Sequence, residues 1–381
     1  MQRKKAAYGT DKPQLSPYVQ RPAAISLLNQ PYMNADHGPQ PVAVIGAGTF
    51  GTAVANLLAI NAPVLLYSRN TAIVQQINST NRLHGIGLSP KISATHDIRE
   101  IAGRCRLIFP IVPSASFRAM MQRLGPHLHP YHLLIHGTKG FDVQGISDEE
   151  LDLGLLRPEH LSTMSKVIIQ ESSVIRVGCL SGPNLAREIM EGQPTATVVG
   201  TVFKEVFQEA KRVLGSEQFH VFGTPDILGA ELAGALKNVI AIGSGILRGK
   251  GLGKNIQAIL ITRGLQEMIF FGKAFGATND AFFGTAGIGD LVATATSKQS
   301  RNFSFGYRVG KGENIQDIQQ SMPETAEGVR TLKITYHLSN YFKLKVPITR
   351  MLYKVVFEGY DPERAIRYLI TYPYDVDVDF L

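Results

Sequence analysis

The residues best suited to chemistry begin with Gly46-Ala47-Gly48-Thr49-Phe50-Gly51. A short apolar run, Val42 to Ile45, leads into them, and an alanine-rich segment, Thr52 to Ile60, follows. Strand, glycine turn and helix in that order predict a pyrophosphate cradle. Gly46 permits the tight turn, Gly48 lets backbone approach the phosphates, and Gly51 lets the helix lie close to the strand. The helix N-terminus adds N–H groups that have no partner within the helix. A second candidate is Lys237, inside the apolar, glycine-bearing segment Ile227 to Leu247. Burial or a nearby cation lowers a lysine from its usual value of about 10.4 toward neutrality, where it can serve as a general acid–base. At the level of sequence that role stands beside a second reading, a side chain that reaches out to solvent.

Further cations and one carboxylate complete the set. Dinucleotide folds specific for NAD place an acidic residue about 20 residues beyond the glycines. Here that place reads Tyr67-Ser68-Arg69-Asn70, with no carboxylate. A guanidinium and a hydroxyl suit a 2′-phosphate, so NADP(H) is the expected cofactor, with NAD(H) as the second choice. The alternative for Arg69 is a solvated surface charge. Lys139 and Arg301 each sit beside turn-forming residues and are candidate anion contacts or plain surface charges. Asp290, in Gly287-Ile288-Gly289-Asp290-Leu291, is either a helix cap or a hydrogen-bond partner of a catalytic lysine. His127, His129, His132 and His136 have no spacing that matches a metal site, and no metal is expected. No G-x-S-x-G motif occurs, which argues against hydrolase chemistry.

The elements that must position these residues fall into two sets. Val42–Ile45, Val64–Tyr67, Leu107–Val112, Leu133–Ile135, Val174–Leu180, Ala196–Val199 and Phe219–Phe222 read as strands, with helical spacing in several of the segments between them. That alternation predicts an α/β, Rossmann-like domain with a parallel sheet over residues 41–223, its ligand outside the C-terminal strand ends. Residues 142–172 read as an irregular, mostly polar excursion. Beyond Thr224-Pro225 the segments Ile227–Leu247, Asn255–Phe275, Asn314–Gln319, Gly328–Tyr341, Thr349–Glu358 and Pro362–Leu369 read as helices, so residues 224–372 are expected to form an all-α substrate-binding domain. Residues 1–40, punctuated by Pro13, Pro17, Pro22, Pro31 and Pro39, are expected to be a flexible arm, and 373–381 an acidic tail.

Composition narrows the function. With 44% hydrophobic and 18% charged residues the chain reads as globular, and 381 residues suffice for two cores. Its net charge of +8 comes without a dense basic block interleaved with aromatics, so anionic metabolites fit better than nucleic acid. Cys105 and Cys179 form no Cys-x-x-Cys pair and read as reduced thiols. Ile227 to Leu247 has the length of a membrane span, but Glu231, Lys237 and the many Gly and Ala residues argue against insertion.

Taken together, the motifs resemble the soluble, bacterial-type NAD(P)-dependent glycerol-3-phosphate dehydrogenases. The resemblance rests on the glycine loop, Gly137-Thr138-Lys139-Gly140, Ser181-Gly182-Pro183-Asn184-Leu185-Ala186-Arg187-Glu188 and Ala235-Leu236-Lys237-Asn238-Val239-Ile240-Ala241. Ala258 to Gly264, Gly287 to Leu291, Ser300-Arg301-Asn302 and Thr325-Ala326-Glu327-Gly328 continue it in the family order. It implies a Rossmann-like domain followed by a helical one, interconversion of dihydroxyacetone phosphate and sn-glycerol 3-phosphate, and a cytoplasmic place in phospholipid synthesis. It also implies that Lys237 is the acid–base. Lys139, Gly182, Asn184, Asp290, Ser300, Arg301 and Asn302 would touch substrate. Thr49, Phe50, Arg69, Lys139, Ala186, Arg301, Thr325 and Glu327 would touch cofactor. Asn184 stands where Ser or Thr is common in the family. A homodimer is the expected assembly. A dehydrogenase for another small hydroxy acid, or a nucleotide-binding sensor without catalysis, are the alternatives.

Overall fold

The computed structural model describes residues 40–322 and 326–373. The expectations for the N-terminal arm, the acidic tail and Thr325 lie outside the described residues. Strand β1 (Val42–Ile45) is followed by α1 (Thr49–Leu58), β2 (Val64–Tyr67), α2 (Thr71–Thr80) and β3 (Ile92–Thr95). Then come α3 (Ile98–Arg104), β4 (Leu107–Pro110), α4 (Ser114–Leu124), β5 (Leu133–His136), α5 (Met164–Glu171) and β6 (Arg176–Ser181). The last α/β elements are α6 (Ala186–Met190), β7 (Thr195–Gly200), α7 (Lys204–Leu214) and β8 (Phe219–Thr224).

The eight strands form one sheet in the order β3-β2-β1-β4-β5-β6-β7-β8. Its first six positions follow the order of dinucleotide-binding sheets, with the reversal between β1 and β4. The strands alternate their side chains across two layers. Val42 and Val44 pack with α1 and α7 on one face. Ala43 and Ile45 pack with α3, α4 and α5 on the other. The expectation of a parallel sheet needs one correction: β6 and β7 are antiparallel, in the register Leu180↔Val199. Their connection carries only the five-residue helix α6, which turns the chain back instead of carrying it across the sheet.

Residues 142–172 are also more ordered than expected. A two-strand hairpin pairs Asp142 with Ser162, and α5 then buries Met164, Val167 and Ile168. Those three positions lie on one helical face, a short pattern hidden between Ser, Lys, Gln and Glu. Strand β3 and helix α3 were likewise not anticipated from the sequence.

Residues beyond β8 are helical. Helix α8 (Ile227–Gly249) runs through the middle and α9 (Lys254–Ala274) packs beside it. A π-helical turn over Thr285–Gly289 leads into α10 (Asp290–Thr296). Helices α11 (Arg301–Gly310), α12 (Ile315–Ser321), α13 (Glu327–Tyr341), α14 (Pro347–Phe357) and α15 (Pro362–Ile370) follow, and a four-residue helix, Asp280–Phe283, precedes the π-helical turn. Among the described residues α8 is the one helix long and apolar enough to cross a membrane, yet its apolar window is 89% buried inside the protein. It is the core of the helical layer. Its glycines permit a very close crossing with α11. A Cβ at Gly245 would stand 2.1 Å from the Phe303 carbonyl oxygen, and one at Gly306 would stand 2.0 Å from that of Ile242.

Candidate active site

Four residues far apart in sequence meet where the C-terminal strand ends face the helical layer. Lys139 follows β5, Gly182 follows β6, Lys237 lies on α8, and Asp290 opens α10. The Lys237 ammonium contacts Asp290 Oδ1 and donates to Thr294 Oγ1 at 2.7 Å. The Lys139 ammonium donates to Asp290 Oδ2 at 2.7 Å and to the Gly182 carbonyl at 3.0 Å. One carboxylate therefore holds an ammonium on each oxygen. Asp290 and Lys237 are only 1% and 5% exposed. Burial pushes Lys237 down to about 7; Asp290 opposes this, and the adjacent Lys139 charge reinforces it.

The reading of Lys237 as a side chain that reaches solvent is corrected by this burial. The apolar turns of α8 leave it no path outward, and Asp290 fixes its tip. Asp290 is not the cap of α10, a place that Gly289 holds; its side chain faces both lysines instead. Thr294, one turn beyond Asp290 on the same face of α10, was not singled out in the sequence; its four-residue spacing from Asp290 was the available signal.

The remaining predicted residues lie at strand ends and helix starts, each with partners of its own. Ser300 caps α11, accepting from the Phe303 N–H at 3.2 Å. Arg301 is the first residue of that helix and is exposed. Asn302 donates to Asn238 Oδ1 at 2.9 Å and accepts from the Gly328 N–H at 2.9 Å, tying α11 to α8 and α13 beside Lys237. Asn184 is engaged with β7: its Nδ2 reaches the Ala196 carbonyl at 3.2 Å and its Oδ1 lies 2.8 Å from the Thr197 hydroxyl. Glu327 opens α13 and accepts from the Ser114 N–H at 3.1 Å, linking that helix to α4. Ala186 starts α6 and is half-buried. Arg69 is exposed just beyond β2, outside the lysine–aspartate cluster.

The glycine loop has the shape a pyrophosphate needs. Gly46 holds φ at +121°, and a Cβ there would lie 2.0 Å from the Ile111 carbonyl oxygen. A Cβ on Gly51 would lie 1.9 Å from the Gly46 carbonyl oxygen, so α1 can start this close to β1 only without one. At Gly48, by contrast, nothing lies within 4 Å of that position. The exposed Gly48 is the N-cap of α1, and helical Thr49 and half-buried Phe50 follow it, so the open space faces the helix N-terminus. These residues fit a dinucleotide.

A sheet with a glycine turn at its order reversal, facing a buried lysine on a helical layer, defines a nicotinamide-nucleotide-dependent oxidoreductase. The comparisons with known proteins agree. Residues 41–206 match the model of the NAD-dependent glycerol-3-phosphate dehydrogenase N-terminus, and residues 226–367 that of its C-terminus. A glycerol-3-phosphate dehydrogenase [NAD(P)+] of Saccharophagus degradans is 36% identical over 92% of this chain and 95% of its own length. One from Pseudomonas putida is 37% identical over 90% and 97%. The crystal structure of glycerol-3-phosphate dehydrogenase from Coxiella burnetii superimposes with a TM-score of 0.78 at 29% identity, covering 87% of this chain and 99% of that one. The chain belongs to the NAD-dependent glycerol-3-phosphate dehydrogenase family.

Proposed function

We propose that this protein interconverts dihydroxyacetone phosphate and sn-glycerol 3-phosphate, with NADP(H) preferred over NAD(H). The observation that carries the reading is Lys237, buried, lowered to about 7 and aimed at a carboxylate shared with Lys139. When bound, the reduced nicotinamide supplies a hydride to the ketone carbon. Charged Lys237 then gives a proton to the developing alkoxide, and in the reverse direction neutral Lys237 takes the hydroxyl proton. Asp290 and Thr294 hold the ammonium in place. Lys139 sits between the Gly182 carbonyl and Asp290, close enough to bind substrate and to keep Lys237 from a higher proton affinity. Gly182, Asn184, Ser300, Arg301 and Asn302 are proposed to surround the substrate, Arg301 meeting its phosphate. Binding energy from that remote phosphate can fix the reacting carbon in position.

The cofactor is proposed to lie over Gly46, Gly48, Thr49, Phe50 and Gly51, with Arg69 at the ribose phosphate and Lys139, Ala186, Arg301 and Glu327 toward the nicotinamide. Thr325 belongs to the same proposal. Residues 41–223 are read as the nucleotide-binding domain and 224–372 as the substrate domain. A homodimer in the cytoplasm supplying glycerol 3-phosphate for phospholipids completes the reading. The test mixes purified protein, NADPH and dihydroxyacetone phosphate and follows NADPH absorbance. Fast loss is expected. Loss only with other carbonyl compounds would point to a different hydroxy acid, and nucleotide binding without any turnover would point to a sensor.

A further inference from the structure

Behind the lysine–aspartate cluster lies a second buried polar group to which the mechanism above gives no part. His136, the last residue of β5, places Nε2 2.9 Å from Glu231 Oε1 on α8. The same oxygen accepts from the Ser165 N–H at 2.8 Å, and Glu231 Oε2 accepts from the Ser165 hydroxyl at 2.6 Å. Ser165 sits in the first turn of α5. His136 is 1% and Glu231 8% exposed. Burial alone would raise the Glu231 carboxyl; the His136 and Ser165 contacts outweigh it and hold the group below its ordinary value. Glu231 is therefore an anion, and the His136 Nε2 carries the proton between them.

The placement of this group matters more than its charge. Glu231 precedes Lys237 by six residues on one rigid helix, about 9 Å along its axis. His136 precedes Lys139 by three residues, a reach of at most about 10 Å. The contact thus joins the two segments that deliver the two ammonium groups to Asp290, one from the sheet and one from the helical layer. We propose that Glu231, held by His136 and Ser165, is a positioning residue that fixes α8 against the end of β5 and so sets the placement of Lys237 relative to Lys139 on Asp290. This inference rests on the dehydrogenase reading for its kinetic consequence, and on geometry alone for the placement itself.

Glu231→Gln separates position from charge. Its carbonyl can accept from His136 and the Ser165 N–H. Its amide can donate to the Ser165 hydroxyl, which turns its own proton to Thr163 Oγ1, 3.2 Å away. Every contact survives without the negative charge. Glu231→Ala removes all of them. The expected result is a kcat loss of about tenfold to a hundredfold in Glu231→Ala, of the size that a misplacement near 1 Å produces, with the KM for NADPH within about twofold of the parent. Glu231→Gln is expected to restore most of kcat.

A second readout needs no substrate. Acetylation of Lys237 by an amine-reactive reagent, followed by mass spectrometry against exposed Lys91, should speed up by about threefold or more in Glu231→Ala and stay slow in Glu231→Gln. Should Glu231→Ala not fold, Ser165→Ala carries the same two measurements. Parent-like kcat and parent-like labelling in a folded alanine variant would overturn the inference, as would equal losses in Glu231→Gln. If the parent itself reduces no dihydroxyacetone phosphate, the functional reading fails while the labelling comparison still decides the placement.

Discussion

Lys237 is buried beside both a cation and an anion, and its proton affinity is the balance of the two and of lost water. With its value lowered to about 7, the charged form dominates below neutrality. Ketone reduction uses that form, so its rate should fall as pH rises through about 7, while alcohol oxidation should rise over the same range. Parallel profiles in the two directions would remove Lys237 as the proton carrier. Lys237→Ala should lower kcat by about a hundredfold or more while NADPH binding, read from the nucleotide's own fluorescence, is kept. Arg69→Ala should weaken NADPH about tenfold and NADH little, since only the former offers a phosphate for a charge-assisted contact; an equal loss for both would sink the NADP(H) preference. Lys237 stood out because a lysine among alanines and glycines is a rare placement, but its burial was decided only by the packing of α8. Thr294 did not stand out, since a threonine one turn from Asp290 is unremarkable until the helix is seen.

At the scale of elements, the glycine turn and the glycine-bearing α8 both announced close backbone approach, and both make one. The neighbour that comes close to α8, helix α11, was not legible: its own Gly306 and Gly310 weaken the helical pattern that Phe303, Phe305 and Val309 supply. Strand β3 escaped for a similar reason, because Ile92-Ser93-Ala94-Thr95 is too polar to stand out as a buried run. Local propensity failed where tertiary contact decided the outcome. Gly306→Ala tests the crossing. Alanine normally favours a helix by about 1 kcal/mol over glycine. Here the new methyl would meet the Ile242 carbonyl oxygen, so a net loss of roughly 1–3 kcal/mol is expected in urea denaturation. A gain in stability would mean that α8 and α11 can move apart freely.

Across the whole molecule, the helical layer is fastened at a distance from the site by another buried carboxylate. Glu267 on α9 accepts from the Ile348 and Thr349 N–H groups at 2.6 and 2.9 Å and from the Thr349 hydroxyl at 2.7 Å, so it caps the start of α14 from outside that helix. Burial raises its carboxyl to about 7, and the three donors only partly offset that. In the unfolded chain the group titrates near 4.5. Between those values the folded state holds the proton more tightly than the unfolded state does. Stability contributed by Glu267 is therefore fully present below about pH 4.5 and is lost as pH rises through about 7, a change on the order of 3 kcal/mol. Glu267→Gln cannot titrate and keeps one acceptor oxygen, enough for the Thr349 N–H and hydroxyl but not for the Ile348 N–H as well. Urea midpoints of parent and variant from pH 5 to pH 8 isolate the effect, because the other titrating groups are common to both. The parent should lose stability relative to the variant as pH rises. Parallel curves would mean that the three donors keep Glu267 ionised throughout, and that burial at this helix start is fully compensated by hydrogen bonds.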